Sequence, residues 1–362
     1  MDLLEINLIN VAFMAANFFL EIPTGAIADN WGRKRSTQIG IIFLGLSFLT
    51  YYLAGSFVGY ILAEIIGAIG ATCISGALEA WYVDGQKVFG EHEHMDKTFA
   101  KEQQWKQFAV IIGSVAGAQI GQISLDLPWL MAFVTSVLVL IIVSIVMTND
   151  NGSRPSSQKI SFEPIIKTAK ESIEYGWKNN EVMKLIGLGF IFTASMMALN
   201  MQWPIMFKSY GWEVKNLGWL FAVIAITNSL GGRLAPYFKK NTDKEFNALV
   251  FSQLITVFGI IGSGLMLGPK ITFTLFMIHQ AGRGMFWPLR QGMLNREIDS
   301  QNRATVLSFA SMISNSGAVF GLIISGLIAK YYSIGISWIS SGIFLTLGFA
   351  VILFHHHKKT TI

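Results

Sequence analysis

Eleven stretches of about 20 residues, each apolar enough to cross a bilayer, follow one another with little between them. They run near 6–28, 36–53, 57–82, 107–124, 128–147, 184–207, 217–238, 246–267, 271–294, 304–329 and 334–354. Such a chain has few folds open to it. In hydrocarbon every backbone N–H and C=O must find a partner within the protein, which leaves helices or closed barrels. Segments of this length are helices. Only 14% of the residues are charged, against about 25% in a soluble domain, so most of the chain cannot face water. The expected fold class is an all-α membrane protein.

Lys and Arg set the orientation. With loops assigned alternately to the two sides, one side collects Arg33, Lys34 and Arg35, Lys87 to Lys106, Arg154 to Lys184, Lys239 to Lys244, Arg290, Arg296, Arg303, Lys358 and Lys359. The other side holds Lys208, Lys215, Lys270 and Lys330, while Arg233 and Arg283 fall inside spans. The basic side is cytosolic, which puts the C-terminus inside and Met1 outside. The net charge of +5 therefore reports topology and does not point to nucleic acid.

Two segments break the apolar pattern: 83–106, expected as a loop, and 148–183. The latter opens with Asn149, Asn151, Gly152, Ser153 and Pro155, a linker composition. Phe162, Ile165, Ile166, Ala169, Ile173 and Trp177 then recur at helical spacing beside Lys167 and Lys170. This suggests an amphipathic helix on the cytosolic membrane surface, or one packed on the loops. The division expected is 1–147 as an N-terminal bundle of five spans, 148–183 as a cytosolic linker and 184–362 as a C-terminal bundle of six. Short echoes about 200 residues apart support a duplication: Gly117–Gly121 with Gly317–Gly321, and Gly25–Asp29 with Gly232–Pro236. The small-residue stripes Gly113/Gly117/Gly121 and Gly317/Gly321/Ser325 read as close packing between the halves.

The densest early positive block is Gly25-Ala26-Ile27-Ala28-Asp29-Asn30-Trp31-Gly32-Arg33-Lys34-Arg35, a tight hairpin between two spans. It resembles the G-x-[LI]-A-D-x-x-G-R-K loop of the major facilitator superfamily, with Asn30 departing from the usual basic residue. Gly76–Asp84, Glu21–Gly25 and Asn295–Ser308 also resemble patterns of that family. The resemblance implies two six-span bundles and a carrier that works by alternating access. In the family the hairpin follows the second span, so the expectation is that the first family span is missing from this sequence. The resemblance also implies gating roles for Gly25, Asp29, Gly32, Arg33, Lys34, Asp84 and Arg303. Asp29 would accept from the start of the tenth span, near Arg303, and Arg33 would reach Asp84.

A charge deep in a span costs about 2.5–3.5 kcal/mol on insertion scales and is functional by default. Glu64 and Arg283 qualify. By resemblance they sit on helices that line the central cavity. His279 lies one turn from Arg283 on the same face. Glu64 is expected to exchange protons, and Arg283 to supply a counter-charge or grip an anionic solute; a static ion pair is the competing reading. Glu79 joins this group, although its place near the inner end of its span also suits gating. Gln202, Trp203, Trp219, Phe286 and Trp287 suit either a solute pocket or lipid contact.

No G-x-x-x-x-G-K-[ST] motif occurs, so the chain is not its own ATPase. Cys73 is the sole cysteine, no metal-ligand spacing is present, and His92 and His94 read as a solvated loop. No cofactor, metal or nucleic-acid partner is expected. The expected function is secondary transport of a small organic solute, as proton-coupled efflux, by a monomer in the plasma membrane. A metabolite uniporter or importer, and a truncated non-transporting relative, remain the alternatives.

Overall fold

A computed structural model describes residues 1–89, 95–147, 179–234, 242–298 and 303–360. These residues form eleven helices: α1 Leu3–Trp31, α2 Arg33–Leu53, α3 Phe57–Phe89, α4 Met95–Ile123, α5 Leu127–Val146, α6 Asn180–Ser209, α7 Val214–Leu234, α8 Thr242–Gly264, α9 Pro269–Glu297, α10 Arg303–Tyr331 and α11 Ile334–Thr360. No strand occurs among the described residues. The fold is all-α, as the apolar windows required.

Local chemistry sets the helix starts. At α1, Asp2 and Glu5 form a reciprocal capping box. The Glu5 N–H donates to Asp2 Oδ1, and the Asp2 N–H to Glu5 Oε2, both at 2.8 Å. Asn179 caps α6 by accepting from the N–H groups of Glu181 and Val182. Its Nδ2 also donates to the Glu297 carbonyl, tying the start of α6 to the end of α9. Gly32 alone separates α1 from α2, with φ at 92°. That left-handed value favours glycine and explains one glycine of the hairpin motif.

The described residues divide into two compact units. One takes in Ile9 through α5 together with Val214–Gly218; the other takes in Met1–Leu8, α6 and everything described from Trp219 onward. In the first unit α2 packs on α3 and α5, and α4 on α5. The Ser36 hydroxyl donates to the Cys73 carbonyl and the Ser47 hydroxyl to the Ala63 carbonyl, drawing α2 and α3 together. Helix α5 buries none of its residues and has a mean hydropathy of 2.7. A helix this apolar that stays largely uncovered beyond its packing on α2 and α4 is built for hydrocarbon.

In the second unit α6 packs on α9, α10 and α11, and α8 on α9 and α11. Phe192, Phe207, Phe276, Phe286 and Trp338 fill its core. A Cβ on Gly317 or Gly321 of α10 would run into the carbonyls of Phe190 and Ala194 on α6. This stripe therefore serves packing inside one unit, whereas the sequence suggested packing between halves. Gly113 and Gly117 have nothing within 4 Å of where a Cβ would stand. Met1–Leu8 are held in this unit by Asn7, which donates to the Leu322 carbonyl at 2.7 Å, and by the Asp2–Lys330 ion pair at 2.9 Å.

Three expectations change. Nine of the eleven described helices are long and apolar enough to cross a membrane; α4 and α9 fall short. In α9 the reason is its load of His279, Gln280, Arg283, Arg290 and Gln291. Within the segment 83–106 the described residues, 83–89 and 95–106, are helical, because α3 and α4 run on through Asp84, Lys87, Lys97, Lys101, Glu102 and Lys106. Lys and Glu are strong helix formers. Arg290, assigned to a loop, lies inside α9 with 2% exposure. The linker and its amphipathic helix lie outside the described residues, except for 179–183 at its end.

Candidate functional site

Glu64 projects from α3 and is half-buried. The Tyr51 hydroxyl on α2 donates to its Oε1 at 2.6 Å. A hydrogen bond to a charged group is worth about 1.5–3 kcal/mol. Aromatic packing holds Tyr51 in place. Its ring stacks on Trp129 of α5, with centroids 4.2 Å apart and planes at 11°, and lies 5.6 Å from Tyr60. Phe48 of α2 also stacks on Trp129, with centroids 6.3 Å apart. The carboxyl therefore faces one neutral donor fixed by three helices.

Arg283 projects from α9, also half-buried. Its Nη1 donates to Asn200 Oδ1 on α6 at 2.6 Å. The partner is again neutral. Each of the two mid-span groups is thus positioned by an uncharged partner of its own unit. His279 does not join Arg283. It is fully buried, its Nδ1–H donates to the Phe276 carbonyl at 2.7 Å, and its ring lies 4.8 Å from that of Phe276. A Cβ on Gly259 would meet the backbone of His279, which places that residue against α8 while Arg283 reaches α6.

Arg290 stands two turns beyond Arg283 on α9. Its Nε donates to the Leu185 carbonyl at 2.7 Å, and its guanidinium lies 5.3 Å from the Trp287 ring. Its Nη2 is buried without a hydrogen-bond partner. An unsatisfied buried polar group costs about 1–3 kcal/mol, more when charged. Phe286 of α9 stacks on Phe192 of α6 with centroids 3.7 Å apart. Gln202 is buried and donates to the Ser325 carbonyl, while Trp219 is 58% exposed.

At the hairpin, Lys34 Nζ donates to the Ser144 carbonyl at 3.0 Å, and Gln38 to the Ser144 hydroxyl. A cation there suits the carbonyl-rich C-terminal end of α5. Gly25 lies within α1 and Arg33 opens α2. The side chains of Asp29, Glu79, Asp84 and Arg303 lie outside the described residues. The expected partners of Asp29 and Arg33 fall outside them too, as do His92 and His94. Among the described residues no group of three or more His, Cys, Asp or Glu could hold a metal.

Sequence reading missed Tyr51, Asn200 and Arg290. A carboxamide or hydroxyl in an apolar run is a usable signal for the first two, but not for which charge it serves. Arg290 was lost because it lies near the polar end of its span.

The family model described as Major Facilitator Superfamily matches residues 1–278 and 185–361. An uncharacterized MFS-type transporter, YxaM of Bacillus subtilis (strain 168), is 24% identical over 350 residues, covering 96% of this chain and 86% of that protein. The class C tetracycline resistance protein of Escherichia coli is 24% identical over 341 residues, covering 91% and 82%. The crystal structure of the nucleoside transporter NupG aligns with a TM-score of 0.81 at 13% identity, over 98% of this chain and 90% of that one. At that identity the likeness concerns the fold alone.

Proposed function

The chain belongs to the major facilitator superfamily, and from that premise we propose that it is a proton-driven secondary carrier exporting a small organic solute. It works by alternating access, as a monomer in the plasma membrane with its C-terminus in the cytosol. Glu64 carries the proton. Arg283 supplies positive charge to the solute site. Gly25, Asp29, Gly32, Arg33, Lys34, Asp84 and Arg303 form the gate, with Glu79 beside it.

The observation that supports this most is the neutral partner of Glu64. Tyr51 donates to the carboxylate, and its hydroxyl oxygen can accept once the carboxyl is protonated. A proton can therefore come and go without an ion pair being broken. An ion pair inside a span would hold the charged form fixed. Arg283 on Asn200 has the same logic with the opposite sign. Similarity to tetracycline resistance proteins supports the outward direction. One proton falling through 100 mV yields about 2.3 kcal/mol, enough to hold a solute gradient of about 50-fold.

The test is a susceptibility screen in a drug-sensitive host expressing the chain or its Glu64→Gln variant, across cationic, neutral and anionic compounds. Protection by the parent chain and none by Glu64→Gln is expected. Equal protection by both removes the proton role. Sensitisation by the parent chain reverses the direction.

A further inference from the structure

We propose that Arg290 is a second anion-binding residue in line with Arg283, and that the transported solute is an organic anion with an apolar body. The inference rests on the carrier reading and deepens it.

Seven residues separate Arg283 from Arg290. On an α-helix that is about 20° short of two full turns, so both lie on one stripe about 10 Å apart. Both guanidinium groups reach α6, but they splay apart: Arg283 meets Asn200, and Arg290 meets Leu185 fifteen residues earlier, about 22 Å along that helix. Between them lie aromatic surfaces, the Phe192–Phe286 stack and Trp287. Charge, apolar surface and charge thus alternate along one face.

Among the described residues, the three helices around this stripe bring no carboxylate to it. Helices α6 and α9 carry acids only at their ends, Glu181 and Glu297, and α10 carries none. The Glu181 carboxylate pairs with Lys184 at 2.8 Å. Nη2 of Arg290 crowds the place a Cβ would take on Gly189, where the Ser314 hydroxyl also lies. That hydroxyl donates to its own helix, at the Ala310 carbonyl. Nη2 is therefore a buried cationic donor with no acceptor.

Arg290 as a simple strut between α9 and α6 explains its Nε bond to Leu185. It does not explain a full positive charge where a glutamine could donate to the same carbonyl. A guanidinium offers paired donors to a carboxylate, sulfonate or phosphate. At 2% exposure Arg290 is closed off in this conformation, so the solute reaches it when α6, α9 and α10 loosen during the transport cycle.

The test uses the full chain in detergent with two probes that differ in charge, 1-naphthalenesulfonate and the neutral 1-naphthalenesulfonamide. The sulfonate is expected to bind at least about tenfold more tightly, the scale of one charge-assisted contact. Arg290→Gln should weaken the sulfonate by about tenfold more than it weakens the sulfonamide, with Arg283 keeping the rest of the preference. Arg290→Lys should lose only part of that, because the charge survives but the fork does not. Gly189→Ala keeps the charge but displaces the guanidinium, and should also weaken the sulfonate; it decides the matter if Arg290→Gln elutes as aggregate. Unchanged sulfonate binding in the folded variants, or no preference in the parent chain, overturns the proposal. If cationic compounds are exported and the sulfonate is ignored, the anion site falls and the carrier reading stands. If no compound of any charge is moved, both fall.

Discussion

Replacing Asn200 by Asp should stabilise the protein and impair its solute site together. Asn200 Oδ1 accepts from Arg283 Nη1 at 2.6 Å. An aspartate there places opposite charges about 4 Å apart, and at an effective dielectric near 20 their attraction is about 4 kcal/mol. Desolvating the new carboxylate in a half-buried position returns a large part of this. A net gain of about 1–2 kcal/mol remains. Asn200→Ala removes the acceptor of a charged donor and costs about 1.5–3 kcal/mol. Thermal unfolding in detergent should rank Asp above Asn above Ala. Binding of 1-naphthalenesulfonate should rank the other way at its weak end. Asn200→Asp neutralises Arg283 and loses about tenfold or more in affinity, while Asn200→Ala leaves the guanidinium available and binds at least as well as the parent. If Asn200→Asp is less stable than the parent, or if its sulfonate affinity rises with its stability, the reasoning fails.

Three further outcomes follow from the packing and the charges. Gly321→Val drives a side chain into the Ala194 carbonyl and should cost about 1–3 kcal/mol or more in thermal unfolding. Gly113→Val, with open space around it, should stay within about 0.5 kcal/mol, and equal effects would refute the packing assignment. Tyr51→Phe and Glu64→Gln should couple by more than about 0.5 kcal/mol in a double-mutant cycle of unfolding; additive effects would mean the 2.6 Å contact contributes nothing. The Glu5 N–H and then Lys330 hold the exposed Asp2 carboxyl below its ordinary 3.8. A lowered acid contributes stability above 3.8 that is lost as pH falls through its folded value. The gap in unfolding temperature between the parent and Asp2→Asn should therefore be present at neutral pH and close in strong acid. A gap that persists there would contradict the assignment.

The helices were legible because a span about 20 residues long announces itself by composition. The hairpin was legible because Gly32 is needed for its backbone angle. What the one-dimensional pattern could not give was pairing. Nothing in the run around Asn200 says that it faces Arg283, or that Tyr51 faces Glu64, because those contacts depend on how neighbouring helices rotate and slide. His279 and Arg283 share a face by spacing, yet one packs on α8 and the other on α6, since a single face of a buried helix meets more than one neighbour. Arg290 was misplaced for a related reason. Hydropathy sees a charge near the end of a span and assigns it to water, but Gly189 makes room for it inside the protein. The polar continuation of α3 and α4 was hidden because polar helix and polar loop have the same hydropathy.

Proton movement through Glu64 can be measured directly. Everted membrane vesicles expressing the chain are energised, their internal acidity is followed with acridine orange, and compounds of each charge class are added in turn. At least one compound, an organic anion among them, is expected to release protons from vesicles bearing the parent chain. Vesicles bearing Glu64→Gln should behave like those lacking the protein. Proton release that is identical with Glu64→Gln, or no release beyond that of empty vesicles for any compound, would contradict proton-driven export through Glu64.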